Sequence, residues 1–175
     1  RLLANRLPSR PGRICLSPML NPAGGIVGDF TVTRLDRDRF HLLGSGAAER
    51  YHLRRFAAAL PPRGVRLRAV SAERGAFAIA GPNARELLAR LTSADVSNAS
   101  VPFLTARELD LGPIRALVLR VAYTGDLGYE LHVPIERQAA LYDALLAAGR
   151  DLGLTLVGAR AMDSLRLEKS YGRWG

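Results

Sequence analysis

One cysteine, Cys15, occurs in 175 residues. The chain can therefore close no internal disulfide and build no thiolate cluster for a structural metal. The three histidines, His41, His52 and His132, lie far apart in sequence, and no metal is expected. Lysine is nearly absent too. Lys169 is the sole lysine among 25 basic residues, and the arginines are spread along the chain rather than gathered in a block. Aromatics make up 6%, and no RNP-like, zinc-finger or basic-helix pattern occurs. The net charge of +9 is accordingly read as a solvated surface or as attraction for a small polyanion in preference to nucleic-acid binding, an alternative that rests on charge alone. No apolar run approaches bilayer length, and the first residues lack the apolar stretch of a signal peptide, so no membrane partner and a soluble, cytoplasmic chain are expected. A Walker phosphate loop and a Ser-His-Asp spacing are missing as well. Gly44-Ser45-Gly46 follows a strand and opens a helix, but it lacks the third glycine of a dinucleotide fingerprint and reads as a helix entry turn.

What is present is globular: 48% hydrophobic and 23% charged residues, with 17 glycines and 10 prolines. Helical spacing of apolar residues runs over 47–60, 84–91 and 136–148, and residues 2–7 read as a further short helix. Pro61-Pro62 stops the first of these, and Gly81-Pro82 opens the second. Strand patterns cover 13–20, 30–35, 39–43, 66–70, 77–80, 106–111, 114–123 and 129–133. The order repeats. Residues 71–175 read as strand, helix, antiparallel excursion and helix, and residues 1–70 as helix, excursion and helix without the opening strand. The expected fold is α+β, with two pseudo-repeated split β-α-β (ferredoxin-like) units built on antiparallel sheets. The first unit, 1–70, is incomplete on this reading, which makes the chain a fragment of a larger domain.

Three segments carry chemistry. In Asn21 through Val32, paired glycines allow a reversal, after which Asp29 is a lone carboxylate among Ile26, Val27, Phe30 and Val32. A carboxylate partly desolvated by such neighbours is an effective proton acceptor, and an ordinary turn aspartate is the plainer alternative. In Tyr123 through Val133, strand alternation puts Tyr129, Leu131 and Val133 on one face and Glu130 with His132 on the other. An ionised carboxylate offers two parallel acceptor oxygens to a planar ring edge carrying N–H beside NH₂, as in pterins and guanines; a solvent-facing strand glutamate fits the pattern equally well. In the last segment, Asp163 lies three residues from both Arg160 and Arg166, which reads either as a helix-surface ion pair or as an arginine placed near a ligand tail.

Together these segments resemble the folate-binding aminomethyltransferase-like (glycine-cleavage T-protein) family, and within it the folate domain of dimethylglycine and sarcosine dehydrogenases or oxidases. The resemblance rests on Met19-Leu20-Asn21 through Gly24-Gly25-Ile26 to Asp29-Phe30-Thr31-Val32-Thr33-Arg34-Leu35, on Tyr123 to Glu130, and on Asp163 to Lys169 with Trp174-Gly175. It implies a single folate-binding domain that includes both units, 1–70 and 71–175, with tetrahydrofolate as ligand. By position, Asp29 is similar to the family's catalytic aspartate, Glu130 to the residue gripping the pterin edge, Tyr123 to a pocket tyrosine and Tyr171 to a ligand-side tyrosine. Thr33 and Met162 depart from the glycine-cleavage pattern, which has a tyrosine and an arginine there; Arg160 stands in for that folate-tail arginine.

The resemblance further implies transfer of a one-carbon unit from an N-methyl amine-derived iminium to tetrahydrofolate. FAD would belong only to a flavin domain elsewhere in the parent chain. The implied location is cytoplasmic, or the mitochondrial matrix in a eukaryote. Two alternatives stand beside it: a glycine-cleavage aminomethyltransferase, and a non-catalytic folate-binding scaffold.

Overall fold

The computed structural model describes residues 2–174. The fold is mixed α+β with two antiparallel sheets. Residues up to Val70, together with Arg173 and Trp174, form one compact unit, and Ser71–Gly172 form the other.

The first unit is a three-stranded meander followed by a helix: β1 (Ile14–Leu20), β2 (Ile26–Arg34), β3 (Phe40–Leu43) and α1 (Glu49–Ala58). The turn between β1 and β2 is closed by Asn21. Its Oδ1 accepts from the backbone N–H groups of Ala23 and Gly25, while Gly24 takes a φ of 83°, a left-handed value that favours glycine. Register pairs Cys15 with Val32, Ser17 with Phe30 and Met19 with Gly28. These residues face inward, and Met19, Phe30 and Val32 are the buried apolar centre.

The second unit contains β4 (Arg74–Ala80), α2 (Ala84–Leu91), β5 (Ala106–Leu111), β6 (Ile114–Leu119), β7 (Gly128–Pro134), α3 (Gln138–Gly149) and α4 (Ala159–Glu168). Its sheet runs β4-β7-β6-β5, so the two strands joined by α2 sit at opposite edges with β6 and β7 between them. All of its ladders are antiparallel. Alternation buries Ile79, Val118, Tyr129, Leu131 and Val133 against Leu87, Leu88, Leu141 and Leu145 from α2 and α3. Common to both units is a three-strand meander leading into a helix: β1-β2-β3-α1 in one, β5-β6-β7-α3 in the other.

Several expectations are corrected. Residues 2–7 form no helix. Leu3 bridges Met19, the Ala4 N–H donates to the Pro18 carbonyl at 2.9 Å, and Asn5 bonds Ser17 Oγ and the Leu16 carbonyl. Six residues ending at Pro8 cannot repay helix nucleation, whereas an open strand edge offers backbone partners at once. Residues 66–70 are not a strand; they alternate suitably but find no ladder among the described residues. The strand read over 114–123 ends at Leu119; Arg120 still exchanges backbone hydrogen bonds with Leu104 and Thr105, and the chain then enters the turn before β7. β2, by contrast, starts four residues before the expected Phe30.

Candidate functional site

Asp29 lies on the outward face of β2, opposite Pro18 of β1. It is exposed, so the expected desolvation is not found. The period of two explains why. Phe30 and Val32 belong to the inner face, and Asp29 shares its face with Thr31 on β2 and with Leu16, Pro18 and Leu20 on β1. Leu16 is 59% exposed, which leaves a single carboxylate set in an open apolar strip. One Asp29 oxygen, Oδ2, accepts a long 3.4 Å hydrogen bond from the Trp174 backbone N–H. Behind the strand, the buried His52 ring lies 4.8 Å edge-on from Phe30 and 5.0 Å from the Trp174 ring. His52 Nε2 donates to the Val27 carbonyl at 3.0 Å, since a carbonyl can only accept. Gly28 is what lets this ring approach the backbone: a Cβ there would fall 2.5 Å from Nε2. Sequence spacing held no sign of this arrangement, because His52 and Trp174 reach the β2 segment only through tertiary folding.

In the second unit, Glu130 and His132 share the sheet face opposite α2 and α3, and Tyr129, Leu131 and Val133 are fully buried on the other. His132 Nε2 donates to Glu130 Oε2 at 3.1 Å. About 28% of the Glu130 side chain stays accessible. Its cross-strand neighbours are Ala78 and Leu119, small or apolar groups that do not compete for the carboxylate.

Tyr123 sits in the segment between β6 and β7 and joins a network with α4. Its hydroxyl donates to Asp163 Oδ1 at 3.0 Å, Arg166 Nε lies 3.5 Å from the same oxygen, and the guanidinium stands 5.7 Å from the Tyr123 ring centre. Arg166 also bonds the Tyr171 carbonyl. Tyr171 packs over the following turn, where a Cβ on Gly125 would lie 3.1 Å from its ring and 2.8 Å from the Lys169 stem. Lys169 pairs with Asp126 at 3.3 Å. Tyr123 and Tyr171 are thus linked through Arg166, while Arg160 stands exposed in the first turn of α4. The Asp163–Arg166 pair on α4 is the ion pair that their spacing of three suggested, whereas their link to Tyr123, 40 and 43 residues earlier, has no sign in local spacing. Among the described residues, no group of His, Cys, Asp and Glu could hold a metal ion.

Residues 1–175 match the family model described as GCVT N-terminal domain. This chain belongs to the GCVT family. It is 36% identical to human mitochondrial dimethylglycine dehydrogenase over 176 residues, 99% of this chain and 20% of that protein. It is also 36% identical to the aminomethyltransferase of Natranaerobius thermophilus over 167 residues, covering 95% of this chain and 45% of that one. Among solved structures, the Bartonella henselae glycine cleavage system aminomethyltransferase T superposes with a TM-score of 0.71 at 30% identity, over 93% of this chain and 42% of that one. The chain spans about a fifth of the length of the dimethylglycine dehydrogenases it matches. Its relatives include an aminomethyltransferase, dimethylglycine and sarcosine dehydrogenases, and a sarcosine oxidase subunit. No helix among the described residues is long and apolar enough to cross a membrane.

Proposed function

We propose that this GCVT chain is the tetrahydrofolate-binding part of a larger amine-demethylating enzyme of the dimethylglycine or sarcosine dehydrogenase type, in which a one-carbon unit passes from an iminium to tetrahydrofolate. The observation that carries the reading is the Glu130 carboxylate, bonded by His132 at one oxygen and partly accessible, with Ala78 and Leu119 as its cross-strand neighbours. A carboxylate has about four lone-pair positions, and His132 uses one. The acceptor positions that remain fit a pterin edge that donates from N–H beside NH₂.

Tetrahydrofolate supplies, when bound, the amine nitrogen that takes up the carbon. The chain's residues supply orientation and a proton acceptor. Glu130 fixes the pterin edge, and a fixed edge removes orientational freedom from the encounter. Asp29 accepts the amine proton at Oδ1, the oxygen that Trp174 leaves open, and its charge stabilises the cationic carbon centre beforehand. Its cross-strand neighbours Leu16, Pro18 and Leu20 offer no hydrogen-bond donor from their side chains, and the Trp174 N–H bonds Oδ2 alone, so acceptor capacity is left for the reacting amine. Tyr123 and Tyr171 flank the ligand, and Arg160 meets the negative tail. FAD belongs to a domain outside these residues, and a mitochondrial matrix location follows if the protein is eukaryotic.

The test uses the full-length protein. Asp29→Asn should lower formation of methylene-tetrahydrofolate by roughly 10²–10⁴-fold, the range for loss of an acid–base group. Amine oxidation should continue and release formaldehyde instead. Undiminished methylene-tetrahydrofolate removes Asp29 from the mechanism. A second reading, a glycine-cleavage aminomethyltransferase, is favoured by the match to the Natranaerobius enzyme and opposed by Thr33 and Met162. Amine oxidation by the purified parent separates the two.

A further inference from the structure

The β2 strand is irregular two residues before Asp29. Its ladder with β1 pairs Met19 with Gly28 and Leu20 with Ile26, so Val27 is the extra residue of a β-bulge. On its other edge β2 pairs with β3 only from Thr31 to Arg34, and the stretch from Ile26 to Phe30 has no ladder there. His52 of α1, only 4% exposed, reaches this stretch instead, and its Nε2–H donates to the carbonyl of Val27 itself at 3.0 Å. Glycine at position 28 admits the ring, since a Cβ there would stand 2.5 Å from Nε2 and 3.1 Å from Cε1. The same ring meets Phe30 edge-on at 4.8 Å and the Trp174 ring at 5.0 Å, and the Trp174 N–H is the donor that reaches Asp29 Oδ2. One buried imidazole thus packs on both sequence neighbours of Asp29 and on the residue that bonds its carboxylate.

We propose that His52 is a positioning residue for Asp29: it pins the bulge at Val27 and seats the Trp174 ring, and through these two contacts it aims the carboxylate with Oδ1 open to the reacting amine. The inference rests on the reading of Asp29 as the proton acceptor. Buried at this depth, His52 itself meets no ligand. A bulge bends its strand and raises the local twist, so the direction of a side chain two residues on depends on how the bulge is held. Trp174 supplies the second constraint, because its N–H holds Oδ2 only while the ring stays docked on His52. Proton transfer needs heavy atoms about 2.6–3.2 Å apart, and a displacement of about 1 Å costs on the order of 10²-fold in rate. A displaced Asp29 therefore spoils capture of the one-carbon unit without loosening the pterin grip, which belongs to Glu130.

The experiment follows the full-length protein oxidising its N-methyl amine in the presence of tetrahydrofolate. It reads the ratio of methylene-tetrahydrofolate to formaldehyde, with tetrahydrofolate affinity measured separately by calorimetry. His52→Leu removes both donor and ring and should lower the ratio by roughly 10–100-fold, with the affinity unmoved. His52→Gln restores an N–H for the Val27 carbonyl and should recover part of the loss. Trp174→Ala takes nothing from the buried apolar centre of Met19, Phe30 and Val32, and should lower the ratio less than His52→Leu does; it decides alone if His52→Leu does not fold. In an Asp29→Asn background none of these changes should lower the ratio further, because there is no carboxylate left to aim. A ratio that stays at wild type, falls only in step with affinity, or falls again by the same factor in the Asp29→Asn background overturns the proposal. An Asp29→Asn protein with an unchanged ratio sinks the reading of Asp29 underneath it, whereas a low ratio there beside unmoved His52 and Trp174 variants sinks only the role of His52.

Discussion

The two units solve the same folding problem with different completeness. In the second, α2 and α3 cover one face of a four-stranded sheet, and a continuous core runs from Ile79 to Leu145. In the first, only Met19, Phe30 and Val32 are buried together, and an apolar groove of about 410 Å³ stays open between residues such as Leu3, Phe40 and Phe56. Charge divides in the same way. Up to Val70 and from Arg173 onward there are fourteen arginines against four carboxylates, whereas Ser71–Gly172 carry eleven basic side chains against twelve carboxylates. The whole surplus of +9 therefore resides in the first unit. The second pairs its charges locally: Arg90 meets Glu86 and Asp151, and Arg115 lies between Glu108 and Asp110. One unit closes its own accounts of apolar surface and charge. The other leaves both open.

Cutting into the fuller core should do the most damage to the fold. Leu131→Ala removes a fully buried side chain from β7 and should cost about 2–5 kcal/mol in denaturant unfolding. Met19→Ala, in the smaller core beside an open groove, should fall at the low end of that range or below it, because neighbours with free space can settle into the void. A Met19 variant as costly as Leu131→Ala would show that the first unit is as tightly packed as the second.

Next comes the ligand face. Glu130→Gln replaces one acceptor oxygen by a donor facing a donor, and should cost about 1–3 kcal/mol in tetrahydrofolate binding by the full-length protein. Stability should hardly move, since Glu130 retains accessible surface and His132 can still bond the amide oxygen. Unchanged affinity in titration calorimetry would leave Glu130 as a strand residue only.

These differences also explain what could be read from sequence. α2 occupies 84–91 and β5 occupies 106–111, the spans expected, because local periodicity and the Gly81-Pro82 and Gly112-Pro113 punctuation act together there. Residues 2–7 and 66–70 have suitable local patterns but no matching tertiary partners, and pattern without partner does not fix structure. Asp29 shows the same limit inside a strand. Its sequence neighbours are Phe30 and Val32, but its spatial neighbours are Leu16, Pro18 and Leu20 across the ladder. Glu130 and His132 were legible as a pair since two residues along a strand share a face. The Tyr123–Asp163 bond was not, because nothing local connects residues 40 apart.

Salt should separate the units more gently. Raising ionic strength from about 0.01 to 0.15 M shortens the Debye length from roughly 30 to 8 Å and screens the repulsion among the first unit's arginines. Unit-resolved hydrogen exchange should show slower exchange in β1, β2 and α1 with added salt. In the second unit the same salt weakens attractive pairs, so protection there should stay flat or fall slightly. Protection rising equally in both units would mean that the charge division has no energetic consequence.

Acid supplies the smallest and most directional effect. Asp151 is held below the ordinary carboxylate range chiefly by its hydrogen bond from Arg90, and Asp95 by the hydroxyl of Ser100 with help from Ser97. A carboxyl whose folded value is depressed contributes stability that is complete above its unfolded value near 4 and is lost as pH falls through the folded one. Protection in α2 and in the turn after α3 should accordingly decline as pH drops below about 4, while nothing comparable begins between pH 5 and 7. Arg90→Gln removes the leading cause of the Asp151 shift, so its decline should be shallower than wild type over that window. The carboxylate is exposed, and 1 M salt should shrink the difference further. An Arg90→Gln protein with the same acid profile as wild type would show that the Arg90–Asp151 pair, although 2.5 Å long, does not stabilise the join between α2 and the end of α3.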